Sequence, residues 1–324
     1  MDDARGFQRY KCARHKCSEP VFGRPCEPEA GPRSASRIHV LEFIQALRAQ
    51  EFLQVALLTG LLASVACGVV GSYVVVRRIT YLAGGIAHCV LGGLGAAQYV
   101  AVAWGWSWVH PLHGATVAAL LAAVIIGVVS RRARQREDTV IGAVWAIGMA
   151  LGVLFIACTP GRQVDPMSYL FGSILMVTRD ELWLLVALDV LVVGVGLLLY
   201  HQLLAVCFDE EFAWLRGIRV EACYILLLCL TALTVVLLVS VVGIVMVIAL
   251  LTLPVAVAGH FCKTLWQLMV GSVLLSMVLT TAGLALSYTP NLPAGATTIL
   301  LAGALYVVVV IGSRLPTALR RARA

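Results

Sequence analysis

The residues RRITYLAGGIAHCVLGGLGAA, Arg77 to Ala97, decide how this chain is read. Two arginines open the stretch, and the run 82–109 behind them holds no charged residue and one histidine, His88. A run of that length is too apolar for an ordinary core helix, so its solvent is lipid. Inside a bilayer, a ring that binds protons and metals marks a functional site by default.

Composition extends the same reading outward. The chain has 324 residues, 60% hydrophobic and 13% charged, against about a quarter charged in soluble domains. Its net charge of +7 calls for no nucleic acid, because the arginines cluster in loops between apolar runs. Clustering of that kind is the mark of a positive-inside membrane protein.

Uncharged or nearly uncharged runs recur at 52–76, 82–109, 113–130, 139–159, 182–202, 222–259, 264–289 and 292–313. The run 222–259 is too long for one crossing of roughly 30 Å at about 1.5 Å per residue. A tight turn near Gly243 and a shortened helix around Pro254 would let it cross twice. The segment 167–177 is apolar but too short to cross and reads as a re-entrant or surface helix. The expectation is an all-α polytopic membrane protein with about nine transmembrane helices.

Charge then orients the spans. With Arg77 and Arg78 inside, alternation puts 131–138, 203–221, 260–263 and the end of the chain inside as well. Those segments hold 13 of the 15 Lys and Arg residues beyond position 51, leaving Arg162 and Arg179 outside. The C-terminus is then cytoplasmic, with 316–324 a basic tail. Residues 1–51 carry nine basic residues and disagree with this orientation. Pro20, Pro25, Pro28 and Pro32 in a stretch with few apolar residues make 1–39 a disordered extension, and 40–315 the membrane domain. No apolar signal-peptide core follows residue 1.

Chemical motifs are sparse. The chain lacks G-x-x-x-x-G-K-[ST], so it has no P-loop of its own, and it lacks G-x-S-x-G and H-E-x-x-H. Cys12, His15 and Cys17 fit no common four-ligand zinc spacing, and the cysteines inside the spans act as small hydrophobes. The segment LLAVCFDEEFAWLRGIRV, 203–220, differs from the other loops. It has the apolar spacing of a short amphipathic helix, with Asp209, Glu210 and Glu211 ahead of Gly217. Such a segment either presses a face into a partner's groove or is a solvated loop with a charge cluster.

Four blocks together resemble the membrane permease subunits of ABC importers for zinc, manganese and iron, the metal ABC-3 type. They are RRITYLAGGIAHCVLGGLG, CFDEEFAWLRGI, VVGIVMVIALLTLPVAVAG and LPAGATTILLAGALYV, in that order, and the likeness runs over most of the chain. The resemblance implies no enzyme activity and no bound cofactor in this chain, with ATP hydrolysed on a partner subunit and a divalent metal as substrate. It implies a cytoplasmic coupling helix docking on the ATPase through Asp209, Glu210, Glu211, Ala213 and Gly217. It also implies an extracytoplasmic metal-binding protein, a second permease subunit across a two-fold axis, and the bacterial plasma membrane as location.

One departure bears on the site. The family pattern has an aspartate four residues before the histidine, so that both face one side of a helix. Here that position is Gly84, followed by Gly85. The resemblance implies His88 as a transit ligand, working with its counterpart in a second copy or with Cys89. A histidine bonded to a neighbouring helix is the alternative. Loss of the carboxylate favours zinc or iron over manganese.

Other polar groups rank lower. Asp189, mid-span in LVALDVLVV, replaces the missing acid or makes a structural hydrogen bond. His110 and His113 flank Pro111 in the outside loop, where they are solvated or meet an arriving ion or binding protein, and His201 and His260 sit near inside boundaries. Gly92, Gly93, Gly95, Ala96 and Ala97 allow close helix approach. The competing functions are a secondary transporter or channel driven by an ion gradient, using His88 and Asp189 as a proton relay, and a membrane scaffold without transport.

Overall fold

The computed structural model describes residues 47, 50–105, 111–132, 136–159, 179–288 and 292–321, with backbone only at 179–180 and 314–321. All of them belong to the unit His39–Ala324. The expected extension 1–39, the short apolar segment 167–177 and His110 lie outside the described residues.

Helices account for the described chain, and no strand occurs among the described residues. They are α1 (Glu51–Val76), α2 (Thr80–Ala103), α3 (Pro111–Arg132), α4 (Glu137–Cys158), α5 (Arg179–Leu198) and α6 (Tyr200–Phe208). After them come α7 (Glu210–Leu215), α8 (Val220–Val242), α9 (Ile244–Ala258), α10 (Leu265–Tyr288) and α11 (Ala294–Arg321). Eight are long and apolar enough to cross a membrane, and α9 is a shorter apolar ninth. At 15 residues, α9 spans only about 22 Å. The last helix continues through Arg321, so the backbone of the basic tail begins as an extension of α11.

The breaks between helices have local causes. Gly243 joins α8 to α9 at φ 92° and ψ 155°, a conformation essentially confined to glycine. Between α1 and α2 the chain turns on Arg78 at φ 64°, with Ile79 N–H donating to Val74 O and Arg78 N–H to Val75 O. That turn fixes Arg77 at the end of α1.

Close packing in lipid depends on small residues and hydroxyls, since the surrounding tails are as apolar as the side chains. On α1 and α10, Ser64 meets Thr280 at 3.3 Å and Ser72 meets Ser272 at 3.2 Å. Along α2 and α4 the backbones themselves touch. A Cβ on Gly92 would stand 2.6 Å from Gly148 O, and one on Gly95 would stand 2.9 Å from Gly152 O. Gly93 of α2 and Gly114 of α3 meet in the same way. Helix α2 is thus clamped between α3 and α4, which holds His88 in place.

Candidate functional site

His88 lies on the face of α2 that also carries Tyr81 and Gly84, at helical spacings of seven and four residues. It is half-buried, and its imidazole stacks on the Trp145 indole of α4, centroids 4.7 Å apart and planes 9° apart. Tyr81 reaches the same indole at 5.5 Å. Space beside the histidine is open at Gly84: a Cβ there would meet nothing nearer than Ile248 Cδ1 of α9, at 3.9 Å. Gly85 is the reverse, since its Cβ would stand 2.6 Å from Ile141 Cγ2. Among the described residues, His88 is the only histidine more than one turn inside a membrane-length helix.

Cys89 is turned into the α2–α4 seam, where its Sγ donates to Val144 O at 3.1 Å. Its contacts are with Val144 and Gly148 and not with the open face. Asp189 is buried on α5 and lies against Ala66 and Cys67 of α1, with neither carboxylate oxygen hydrogen-bonded among the described residues. Helix α5 packs on α1, α6 and α8, whereas α2 packs chiefly on α3, α4 and α8. Among the described residues, no three His, Cys, Asp or Glu side chains gather closely enough to hold a metal ion. His113, expected in a loop, is exposed in the first turn of α3, His201 is exposed, and His260 is exposed with Nδ1 at 2.9 Å from Ala256 O.

The segment 203–220 is two helices, α6 and α7, where one amphipathic helix was expected. The break is chemical. Asp209 takes an extended conformation (φ −151°, ψ 109°), and its carboxylate accepts from the N–H groups of Glu211 and Phe212. It is the N-cap of α7. Gly217, at φ 78°, ends α7: Gly217 N–H donates to Trp214 O and Ile218 N–H to Ala213 O, a Schellman closure.

The five expected coupling residues separate into different roles. Asp209 and Gly217 shape the helix, Ala213 is fully buried beneath it, and Glu211 is exposed. Glu210 points into the bundle, paired with Arg77 and with both terminal nitrogens of Arg131, each at 2.9 Å from a carboxylate oxygen. The surface that α6 and α7 present is apolar: Phe208, Trp214 and Leu215 are 68%, 71% and 75% exposed. Trp214 borders an open groove of about 850 Å³ that also takes in Arg131, Gly217 and Arg219. Beneath this surface, burial pushes the Cys207 thiol up to about 11, with the Arg77 guanidinium pulling the other way.

Sequence reasoning did not find Trp145, Tyr81, Arg131 or the exposed trio Phe208, Trp214 and Leu215. The trio left a trace, since three bulky apolar residues flank an acidic cluster in a loop. Trp145 left none, because its partner is 57 positions away.

Comparison with known proteins covers this same region. The sequence profile of the family described as the ABC 3 transport family matches residues 49–313. An uncharacterized membrane protein of Synechocystis sp., slr2045, is 44% identical over 85% of this chain and 95% of its own length. The manganese transport system membrane protein MntC of Halalkalibacterium halodurans is 30% identical over 82% of this chain and 89% of its own. Among solved structures, PsaBC from Streptococcus pneumoniae in complex with Fab matches at a TM-score of 0.73 and 28% identity. That match covers 83% of this chain and 95% of the other.

Proposed function

The chain belongs to the ABC 3 transport family, and from this we infer that it is the membrane permease subunit of an ABC metal importer, with ATP hydrolysed on a separate subunit. The observation that carries this reading is the doubly capped α7 with Phe208, Trp214 and Leu215 set outward beside it. A loop that only joined two spans would gain nothing by exposing three large apolar side chains, whereas an ATPase subunit seated on them would bury them. Glu211 and Arg216 at their margin supply a polar rim.

The arginine-rich end of the bundle, where Arg77, Arg131 and Glu210 meet, is the cytoplasmic end under the positive-inside rule. The C-terminus then lies inside. The cargo passes the open face of α2 at Gly84 and His88, and a second copy brings its own His88 to the same route. One imidazole per chain is a weak hold, which suits release. A gradient-driven relay through His88 and Asp189 is disfavoured, because Asp189 faces α1.

Manganese, zinc and iron are the candidate cargoes. The relative named for manganese makes manganese the first to test, and the imidazole at an acid-free site suits zinc or iron. The test is radiolabelled uptake in cells lacking their own importers, supplied with this chain, its ATPase subunit and its metal-binding protein. Uptake of one metal is expected, abolished by a hydrolysis-dead ATPase and reduced by His88→Ala. Uptake that persists without ATP hydrolysis would overturn the reading.

A further inference from the structure

Glu210 occupies a position that the docking role does not use. Its carboxylate turns away from the exposed face and is gripped from two spans: Arg77 ends α1, and Arg131 is in the last turn of α3. Arg131 grips it with two prongs, NH1 to Oε2 and NH2 to Oε1, both at 2.9 Å. Both guanidinium groups also lie over the ring of Tyr224 in α8, at 5.5 Å for Arg77 and 4.8 Å for Arg131. Tyr224 is fully buried, and Glu137 at the start of α4 lies close enough to its hydroxyl to act on it electrostatically. Arg77 reaches back to Val206 O of α6 at 3.3 Å.

We propose that Glu210 is a positioning residue that fastens the six-residue α7 to the spans around His88, so that a push on α7 reaches the metal route. This rests on reading the chain as a permease driven by a separate ATPase. The linkage is continuous. From Glu210 it passes through Arg131 into the last turn of α3, and the first turn of α3 meets α2 backbone to backbone at Gly114 and Gly93, five residues beyond His88. A second branch passes from Arg77 and Arg131 through Tyr224 to Glu137 and so into α4, which carries Trp145. Both branches end at the stacked pair.

The charge count makes the fastening specific. One carboxylate sits between two cations, and the side chains are only 18–30% exposed, so water screens them incompletely. Without the carboxylate, two guanidinium groups would face each other over one aromatic ring. Repulsion would then drive α1 and α3 apart where α7 must hold them. Two planar forks on one carboxylate also fix direction as well as distance, which a lysine ammonium would not.

The experiment compares wild type, Glu210→Gln and Arg131→Lys in the assembled transporter, measuring metal uptake, ATP turnover and co-purification of the ATPase subunit. For Glu210→Gln, the ATPase subunit is expected to stay bound and ATP turnover to persist, while uptake falls at least tenfold. Arg131→Lys keeps the charge and loses the two-pronged grip, with an expected three- to tenfold loss of uptake at unchanged ATP turnover. Should Glu210→Gln fail to accumulate, the milder lysine variant carries the same comparison. Wild-type uptake per ATP in both variants would overturn the proposal. So would loss of the ATPase subunit from Glu210→Gln, which would make Glu210 a docking contact. If wild type itself shows no ATP-dependent uptake, it is the permease reading that fails.

Discussion

The imidazole of His88 lies flat on the indole of Trp145, 4.7 Å between centroids and 9° from parallel. Stacking holds the imidazole parallel to the indole, so Trp145 confines the histidine nitrogens to that plane. Aromatic pairs of this kind are worth about 0.5–1.5 kcal/mol. Trp145→Ala is expected to lower metal uptake about two- to tenfold through KM, with Trp145→Phe close to wild type. Initial uptake rates over a range of metal concentrations separate the two.

Gly84 and Gly85 are adjacent yet predict opposite outcomes. A side chain at 84 enters open space one turn from His88, whereas one at 85 collides with Ile141. Gly84→Asp is expected to fold normally and to bind manganese or zinc at least about tenfold tighter, equivalent to 1.4 kcal/mol. Its release would slow accordingly. Gly85→Asp is expected to lose thermal stability. Equilibrium dialysis and melting in detergent read the pair.

Asp189 is buried against α1 with its oxygens unbonded among the described residues. Asp189→Asn keeps the shape and removes any charge. If the carboxyl is structural, uptake should stay within about twofold of wild type, less than 0.5 kcal/mol. A loss matching that of His88→Ala would place it on the route after all.

Asp209 caps α7 through two backbone N–H groups. Replacing a capping carboxylate by alanine costs about 1 kcal/mol. In a helix of six residues that is enough to fray α7. Asp209→Ala is expected to reduce co-purification of the ATPase subunit, and Asp209→Ser to restore most of it.

Cys207 offers a pH-dependent reporter of the same region. Its buried thiol holds a proton to about 11, against 9.0 for the ordinary value. The folded state therefore keeps a proton that the unfolded chain gives up. That contribution to stability is complete below about 9 and is lost as pH rises through 11. At pH 9 about one molecule in a hundred carries the thiolate. Maleimide labelling at Cys207 should be roughly fiftyfold slower than at an exposed cysteine, and should quicken in Glu210→Gln.

The spans were legible because lipid asks for little beyond length and hydropathy. The turn at Gly243 was legible too, since a single apolar run of that length has to break where only glycine takes the required angles. The acids and Gly217 mark a short helix between two spans, which the structure has at Glu210–Leu215, but the sequence does not separate the roles of the acids. Asp209 bonds to the backbone, Glu211 faces out and Glu210 faces in, because the cap at 209 starts a helix whose first turn points its side chains in different directions. Nothing within 203–220 specifies that Arg77 and Arg131 await Glu210. Long-range partners such as His88 and Trp145 escape periodicity for the same reason.

The glycine seam between α2 and α4 has a consequence for motion. Where helices interlock through large side chains, one must be lifted over another before anything can shift. There are no such teeth where Gly92 meets Gly148 and Gly95 meets Gly152, and backbone rests on backbone. The side-chain contacts of the seam include those of Gly85 with Ile141, Cys89 with Val144 and His88 with Trp145. Separation at the glycines is costly, because the backbones touch, whereas a slide along the helix axes would cost the Cys89 bond to Val144 O and the Ile141 contact but would not lift one backbone off the other. A glide of a few ångströms along that stretch would carry the indole off the imidazole without opening a gap, which is the kind of movement a transport cycle would ask of the pair.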